Sequence, residues 1–470
     1  MKGYSLPTYK DYRRGTDFLP RVPSHWEVAR TGTLFREVVD TGHPDLELLS
    51  INRFFGITKQ SETGRKTRAS KDRSTYKRIL PGDIGYNLMN AFMGSIGVSA
   101  QEGLLSPAYA VARARRPVAP SFFHYLYRTP LYQNQFARHS YGIMYERNRL
   151  YFDRFKTITI PIPPLEEQQA IISFVKARDN EIARMIRSKK RLILVLKEQK
   201  QTLIQQKMMR GLNPGSAFRA SGVDWLGEIP AHWDLMKIKV IASFNPSRSE
   251  SESLRNSDGL TTFVPMECVT TNGRLSKPRI GPISAYWDGY TYFRRGDVVI
   301  AKITPCFENG KGGWLEELPT EFGFGTSEFV VLRARSRVLP AYLYQLTALR
   351  AFRLLGAQAM TGSAGQQRVP LDFIKNFVVP VPPLNEQLEL LQFIEAHEEN
   401  YDAAVDRATK EMDLIVEYRD RLITDVVTGQ ADVRGLQPVE GEISEDQESI
   451  HALVAENGEE GLAHDVDEHQ

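Results

Sequence analysis

Pro161-Ile162-Pro163-Pro164-Leu165-Glu166-Glu167-Gln168 returns 219 residues later as Pro380-Val381-Pro382-Pro383-Leu384-Asn385-Glu386-Gln387. Each copy opens a long polar stretch in which apolar residues recur at helical spacing. Proline fixes φ and suits a first helical turn, and the acids that follow complement the positive end of the helix dipole. The stretch therefore predicts two long helices of common origin. Internal repeats dictate architecture before any other signal.

The repeat is wider than this motif. Pro23-Ser24-His25-Trp26-Glu27-Val28 recurs as Pro230-Ala231-His232-Trp233-Asp234-Leu235. Leu80-Pro81-Gly82-Asp83-Ile84 recurs as Arg294-Arg295-Gly296-Asp297-Val298, and Ala112-Arg113-Ala114-Arg115 as Leu332-Arg333-Ala334-Arg335. Leu150-Tyr151-Phe152-Asp153-Arg154-Phe155 recurs as Val369-Pro370-Leu371-Asp372-Phe373-Ile374. The order is the same in both halves and the offsets drift only between 207 and 220. Small drifts mean loop insertions in matched frameworks. Two repeats this long are too few and too large for a solenoid, so they read as tandem domain duplication.

Within each half the chain mixes short β-rich runs with Gly and Pro punctuation. Gly82-Asp83-Ile84-Gly85-Tyr86, Thr157-Ile158-Thr159-Ile160, Asp297-Val298-Val299-Ile300-Ala301 and Phe377-Val378-Val379 read as strands or their approaches. Pro120 to Phe136 and Pro340 to Leu355 read as helices with proline in the first turn. Residues 1–20 read as an irregular lead-in. Each head is mixed α and β and, at about 150 residues, large enough for its own core.

The second long helix shows a 3–4 seam: Leu391, Ile394, Glu398, Tyr401, Val405, Ala408, Met412, Ile415, Arg419, Leu422 and Val426. The matching seam of the first runs from Ile172 through Asp179, Ile186 and Lys200 to Lys207. Apolar residues dominate both, a coiled-coil pattern. Each seam carries an acid near its start (Asp179, Glu398) and a base 21 residues later (Lys200, Arg419). Parallel helices in matched register would place acid on acid. Antiparallel helices place Asp179 opposite Arg419 and Lys200 opposite Glu398, with interior charges fixing register more than adding stability. The expected fold class is thus α+β: two pseudo-symmetric mixed α/β heads separated by an antiparallel pair of long coiled-coil helices. Helices of about 45 residues at roughly 1.5 Å each would span about 65 Å. That length suits one to two turns of DNA at about 34 Å per turn.

At 470 residues, 41% hydrophobic and 25% charged, the chain reads as a soluble globular protein of several domains. No run approaches the roughly 18 apolar residues of a membrane span, and Met1-Lys2-Gly3-Tyr4-Ser5 has no apolar signal region. Cys268 and Cys306 are too few for a disulfide framework and lack metal-ligand spacing. A cytoplasmic setting without membrane contact is expected. Net charge is +3, but residues 435–470 hold 11 acids and no Lys or Arg. The rest carries 60 basic against 46 acidic residues. That balance fits either a polyanionic partner such as nucleic acid or a merely basic soluble protein. The acidic tail is expected to be a disordered extension.

These motifs resemble the specificity subunit of type I restriction-modification systems over about residues 20–434. Its marks are the two Pro-Pro-Leu-x-Glu-Gln helix starts, the junction Ser221-Gly222-Val223-Asp224-Trp225-Leu226-Gly227-Glu228-Ile229-Pro230-Ala231-His232-Trp233, and the closing Leu422-Ile423-Thr424-Asp425-Val426-Val427-Thr428-Gly429-Gln430. The resemblance implies target-recognition domains at 1–160 and 213–379, spacer helices at 161–212 and 380–434, and a tail at 435–470 outside the family pattern. It implies that each head reads one half of a bipartite target in double-stranded DNA, while the helices set spacing and dock two methylation subunits. It also implies that the chain itself is not catalytic and binds no cofactor. Partner methylation and restriction/translocation subunits would supply S-adenosylmethionine-dependent adenine methylation and ATP- and Mg²⁺-dependent cleavage.

The residues agree with that absence of chemistry. A phosphate loop needs Gly-x4-Gly-Lys-Ser/Thr, so that backbone amides cradle phosphates. Before Gly310-Lys311-Gly312 position 305 is Pro305, and no hydroxyl follows the lysine. Asn245-Pro246-Ser247-Arg248 and Asn213-Pro214-Gly215-Ser216 lack the second proline and the aromatic of an amino-methyltransferase. Asp297-Val298-Val299-Ile300-Ala301-Lys302 has one acid where a Mg²⁺ nuclease needs two. His25 and His232 sit beside tryptophans in a framework motif and read as structural contacts to Trp or backbone. Two other classes stay open on residues alone: an adaptor whose heads bind protein, and an enzyme with an unrecognised site.

A shared framework cannot encode two half-sites, so recognition should come from what differs between the heads. Bases are read by Arg, Lys, Asn and Gln, and phosphates are held by Lys, Arg, hydroxyls and backbone amides. In the first head the basic loop with Arg65, Lys66, Arg68, Lys71 and Arg73 is the first candidate. The divergent segment with Tyr141, Tyr145, Arg147 and Asn148 is the second, matched in the other head by Gln366, Gln367 and Arg368. Asn272, Arg274, Lys277, Lys302, Asn309 and Lys311 complete the set. No metal site is expected.

Overall fold

The computed structural model describes residues 6–52, 56–63, 72–142, 148–255, 258–271, 273–363 and 365–436. It forms two compact units, residues 1–193 with 407–470 and residues 194–406. The long helices Leu165–Arg210 and Leu384–Val427 each contribute to both.

In the first unit a four-stranded antiparallel sheet runs in the order Phe35–Glu37, Tyr109–Ala114, Ile84–Asn87, Ile96–Val98. In the second unit the order Ala242–Phe244, Phe329–Ala334, Val298–Ala301, Gly312–Trp314 repeats it. The repeated Gly-Asp and Arg motifs meet across these sheets. Gly82 and Gly296 turn with φ near +87° and +86°, a conformation a side chain disfavours. The following Asp83 accepts from Leu80 N at 2.9 Å, and Asp297 from Arg294 N at 2.9 Å. Each buried carboxylate also holds an arginine from the neighbouring strand in a two-bond fork: Arg113 at 2.8 and 2.7 Å, Arg333 at 2.7 and 2.8 Å. Paired and multiply bonded, the buried charge is tolerated.

Beside its four-stranded sheet the second head carries a mixed sheet in the order Arg279–Pro282, Leu260–Val264, Phe322–Gly325, Thr291–Arg294, matched in the first head by Gly56–Lys59 on Leu49–Asn52, a parallel bridge from Leu48 to Leu104, and Gly103–Leu105 on Lys77–Ile79. Its aromatic core includes Phe263, Trp287, Tyr292 and Phe324. In each head the strand leading into the long helix closes back on the strand after the His-Trp motif. Thr159–Ile162 pairs with Glu27–Arg30, and Val378–Val381 with Asp234–Lys237. Pro161 and Pro380 are tolerated because each pair is only two strands wide.

Three local expectations change. The segment from Pro120 breaks into Pro120–Tyr127 and Pro130–His139, because Pro130 restarts a helix and the Thr129 side chain caps it. The segment from Pro340 likewise divides into Pro340–Ala348 and Arg350–Gln358. The lead-in is not irregular throughout: Tyr12–Arg14 pairs with Arg21–Pro23, as Phe218–Ala220 pairs with Glu228–Pro230. Arg13 bonds the Trp26 carbonyl, and Arg219 bonds the Trp233 carbonyl at 2.7 Å. The duplication therefore begins earlier in the chain than the His-Trp motif.

The helices run antiparallel, and each unit shows this by itself. In the first, Asp179 meets Arg419 at 2.7 and 3.0 Å, Lys189 meets Glu411, and Ile182, Ala183 and Ile186 bury against Ile415. In the second, Lys200 meets Asp402 at 2.7 Å, and Lys207 lies 5.6 Å from the Phe393 ring centre. Residue numbers fall along one helix as they rise along the other. The pairing of Lys200 with Glu398 is corrected by one helical turn. Burial beside Tyr344 raises the Glu398 carboxyl above its usual range, whereas Asp402 presents a solvated carboxylate to the long lysine.

Candidate nucleic-acid interface

The framework that carries the candidate reading loops is anchored to the helices by the Pro-Pro-Leu motif. Glu167, only 5% exposed, accepts the Tyr9 hydroxyl at 2.6 Å and the Trp26 indole at 3.0 Å, with His25 Nε2 at 2.8 Å. Glu386 holds His232 at 2.7 Å and the Trp233 indole at 2.9 Å. The histidines are structural: each hydrogen-bonds this carboxylate, and the His232 ring also lies edge-on to Trp233 at 6.4 Å. The next residue stitches a second element. Gln168 donates to Pro163 O at 2.8 Å and accepts from Ala119 N at 2.9 Å, just before the Pro120 helix. Gln387 donates to Pro382 O at 2.8 Å and accepts from Leu339 N at 2.9 Å. The opposite helix ends close on the same tryptophans. Gly429 and Gly211 both have φ of +74°, and a Cβ at Gly429 would lie 2.5 Å from Pro23 and at Gly211 3.1 Å from Trp233.

On this frame the structure groups some of the expected contact residues. The hairpin from Thr361 to Arg368 closes by paired backbone bonds and attaches beside Lys302: Val369 N donates to Lys302 O at 2.9 Å, and Thr304 N to Gln367 O at 2.9 Å. Lys302, Gln366, Gln367 and Arg368 thus share one edge of the second head. Arg368 is exposed but forked onto Glu328 at 2.9 and 2.7 Å, which holds the Glu328 carboxyl below its usual range. A second group forms where Gly273 bridges Gly313, bringing the exposed Arg274 near half-buried Lys311. Lys277 is exposed with φ of +47°, and Asn309 is exposed.

In the first head Tyr141 is 46% exposed, bridges Arg149 through the backbone and faces the Arg154 guanidinium at 5.3 Å. Asn148 and Arg73 are half-buried. Arg65, Lys66, Arg68, Lys71, Tyr145, Arg147 and Asn272 lie outside the described residues. Among the described residues no group of His, Cys, Asp or Glu is arranged to hold a metal ion, and no helix is long and apolar enough to cross a membrane.

Residues 120–192, from the Pro120 helix into the first long helix, match the family model of the type I restriction modification DNA specificity domain. A stretch of 168 residues is 36% identical to the type I restriction enzyme EcoEI specificity subunit of Escherichia coli, covering 35% of this chain and 27% of that protein. Over 443 residues the chain is 21% identical to the MjaVIII specificity subunit of Methanocaldococcus jannaschii, covering 88% of this chain and 95% of that one. The chain is thus similar to type I restriction-modification specificity subunits over most of its length. A solved chain from a study of complex assembly in a type I restriction-modification system shares the fold, with a TM-score of 0.59 at 16% identity. That likeness covers 87% of this chain and 99% of the other. The chain spans about a quarter of the length of the Escherichia coli relative it matches.

One basic surface of the second head escaped the sequence reading. Asn245-Pro246-Ser247-Arg248 drew notice only as a failed methyltransferase motif, yet Arg248 lines a groove with Lys302 in the second head. Its serine and arginine beside a turn-forming Asn-Pro were the available signal.

Proposed function

We propose that this chain is the DNA sequence-specificity subunit of a type I restriction-modification complex. Each head reads one half of a bipartite target, and the long helices set the spacing and dock two methylation subunits. Contacts to bases come from the divergent loops, chiefly the hairpin with Gln366, Gln367 and Arg368 and its counterpart with Tyr141 and Asn148. The domain limits 1–160, 161–212, 213–379, 380–434 and 435–470 belong to this reading. So does a cytoplasmic assembly in which restriction/translocation subunits bring ATP and Mg²⁺ and the methylation subunits bring S-adenosylmethionine. The observation that carries it is one repeated anchor beneath loops of unlike sequence. Both heads hang on the same Glu-His-Trp and Asp-Arg bonds, while the segments they present differ in content, Thr361–Arg368 in the second against the stretch from Tyr141 to Arg149 in the first.

The test is selection from random duplex DNA by the chain together with its methylation subunit. A bipartite sequence with a fixed gap is the expected product. Selection without any enriched sequence would favour a protein adaptor. Methylation by the chain without its partner would favour an enzyme.

A further inference from the structure

The second head carries a groove of about 520 Å³ where the strands Ala242–Phe244 and Val298–Ala301 end and Phe329–Ala334 begins. Arg248, Lys302, Ser247, Thr291 and Ser327 line it, with Tyr290, 41% exposed, at its edge. No acid is among its lining residues. The acids adjoining them in the chain are engaged elsewhere: Glu250 with Arg333 at 2.8 Å and Glu328 with Arg368 at 2.7 Å. Asp288 takes Arg248 and Arg255 at 3.4 Å each, outside the groove lining.

Two polar side chains of the lining are committed to the protein. Asn245 turns its Oδ1 to Val331 N at 3.0 Å. The Tyr292 hydroxyl is shared between Glu250 at 3.0 Å and Ser251 at 2.8 Å. The rest of the polar lining includes Lys302, Arg248 with Asp288 beside it, and the Thr291 and Ser327 hydroxyls, groups of the kind that hold a phosphate. Arg248 is already oriented, bonded to the Trp287 carbonyl and lying 5.9 Å from that indole. Lys302 stands at the end of its strand, directly bonded to the base of the Thr361–Arg368 hairpin.

We propose that this groove holds a backbone phosphodiester of the DNA bound by the second head, between Arg248 and Lys302. The proposal rests on the DNA-reading function above and adds a positioning contact to it. A phosphate seated beside Lys302 sets the register of the adjoining hairpin on its half-site. Arg248 and Lys302 act on affinity, and the hairpin acts on sequence.

The experiment measures binding of the chain with its methylation subunit to the selected target and to unrelated duplex over a range of salt. Lys302→Gln is expected to weaken both by the same factor, roughly three- to tenfold, and to lower the salt slope by about one. The sequence preference stays unchanged. Arg248→Gln, checked for folding by its thermal transition, gives the same pattern. Unchanged affinity and slope in both folded variants overturns the groove. So does a changed sequence preference at constant slope, which would mean base reading. Failure of the wider reading looks different: the wild-type complex itself enriches no bipartite sequence, and the groove proposal falls with it.

Discussion

Glu167 shows how one residue ties distant motifs together. It is buried, and three side chains from the amino-terminal segment converge on it: Tyr9, His25 and Trp26. Removing a buried partner leaves the remaining polar groups unsatisfied. Glu167→Ala is expected to lower unfolding stability by about 3 kcal/mol. Glu386→Ala, with two partners and 29% side-chain exposure, should cost nearer 1 kcal/mol. Urea midpoints at constant m-value check both. His124 makes a second test. Removal from water and the nearby charges of Arg128, Arg419 and Lys176 hold its imidazole down to about 3, from 6.5. The unfolded chain therefore binds a proton that the folded head resists. Stability from this group is full above pH 6.5 and is lost as pH falls toward 3. Unfolding followed by fluorescence should show a steep loss below pH 6.5 that His124→Gln makes shallower. An unaltered slope in that variant would refute the assignment.

At the scale of elements, the antiparallel helices rest on an apolar seam with charges placed to fix register. Asp179 and Arg419 are 21% and 13% exposed, so their fork is largely withdrawn from water. Asp179→Arg alone is expected to cost about 3 kcal/mol, and Arg419→Asp added to it should recover most of the loss. A double-mutant cycle on thermal or urea unfolding measures that coupling. Absence of rescue would show that the pair does not set the register. Lys200→Met should cost under about 1 kcal/mol, because Asp402 is 59% exposed and its pair with lysine is solvated. The contrast follows from burial: a withdrawn charge has no water to return to when its partner is lost.

At the scale of the whole molecule, duplication makes one framework serve two surfaces. The four-stranded order is common to both heads, and so is the mixed strand order beside it, while among the described residues the Glu250 contact to Arg333 belongs to the second head and the loops differ in content. Function divided in this way predicts separable specificity. Arg368→Ala, together with Gln366→Ala, should relax the selected sequence in one half-site, by about 1–3 kcal/mol per lost base contact, and leave the other half unchanged. Sequencing of selected DNA pools measures this. Equal losses in both halves would count against independent reading by the heads.

The sequence alone determined the duplication, the two long helices and their opposed directions, because repeated motifs and a 3–4 seam with offset charges are local patterns. It also marked Gly82-Asp83 and Asp297 as approaches to strands, since a β-rich run behind such residues is a signal set within a few residues. Only the tertiary structure decided what the repeated motifs do to one another. Trp26 and Glu167 are 141 residues apart and Arg113 and Asp83 are 30 apart, and no local pattern announces that they bond. The same holds for Lys200, whose partner moved by one turn because burial of Glu398 and solvation of Asp402 depend on what surrounds the helices. It holds again for the groove of Arg248 and Lys302, which joins residues 54 positions apart from a short helix and the end of a strand. Periodicity and turn chemistry act along the chain, while burial and charge pairing act across space.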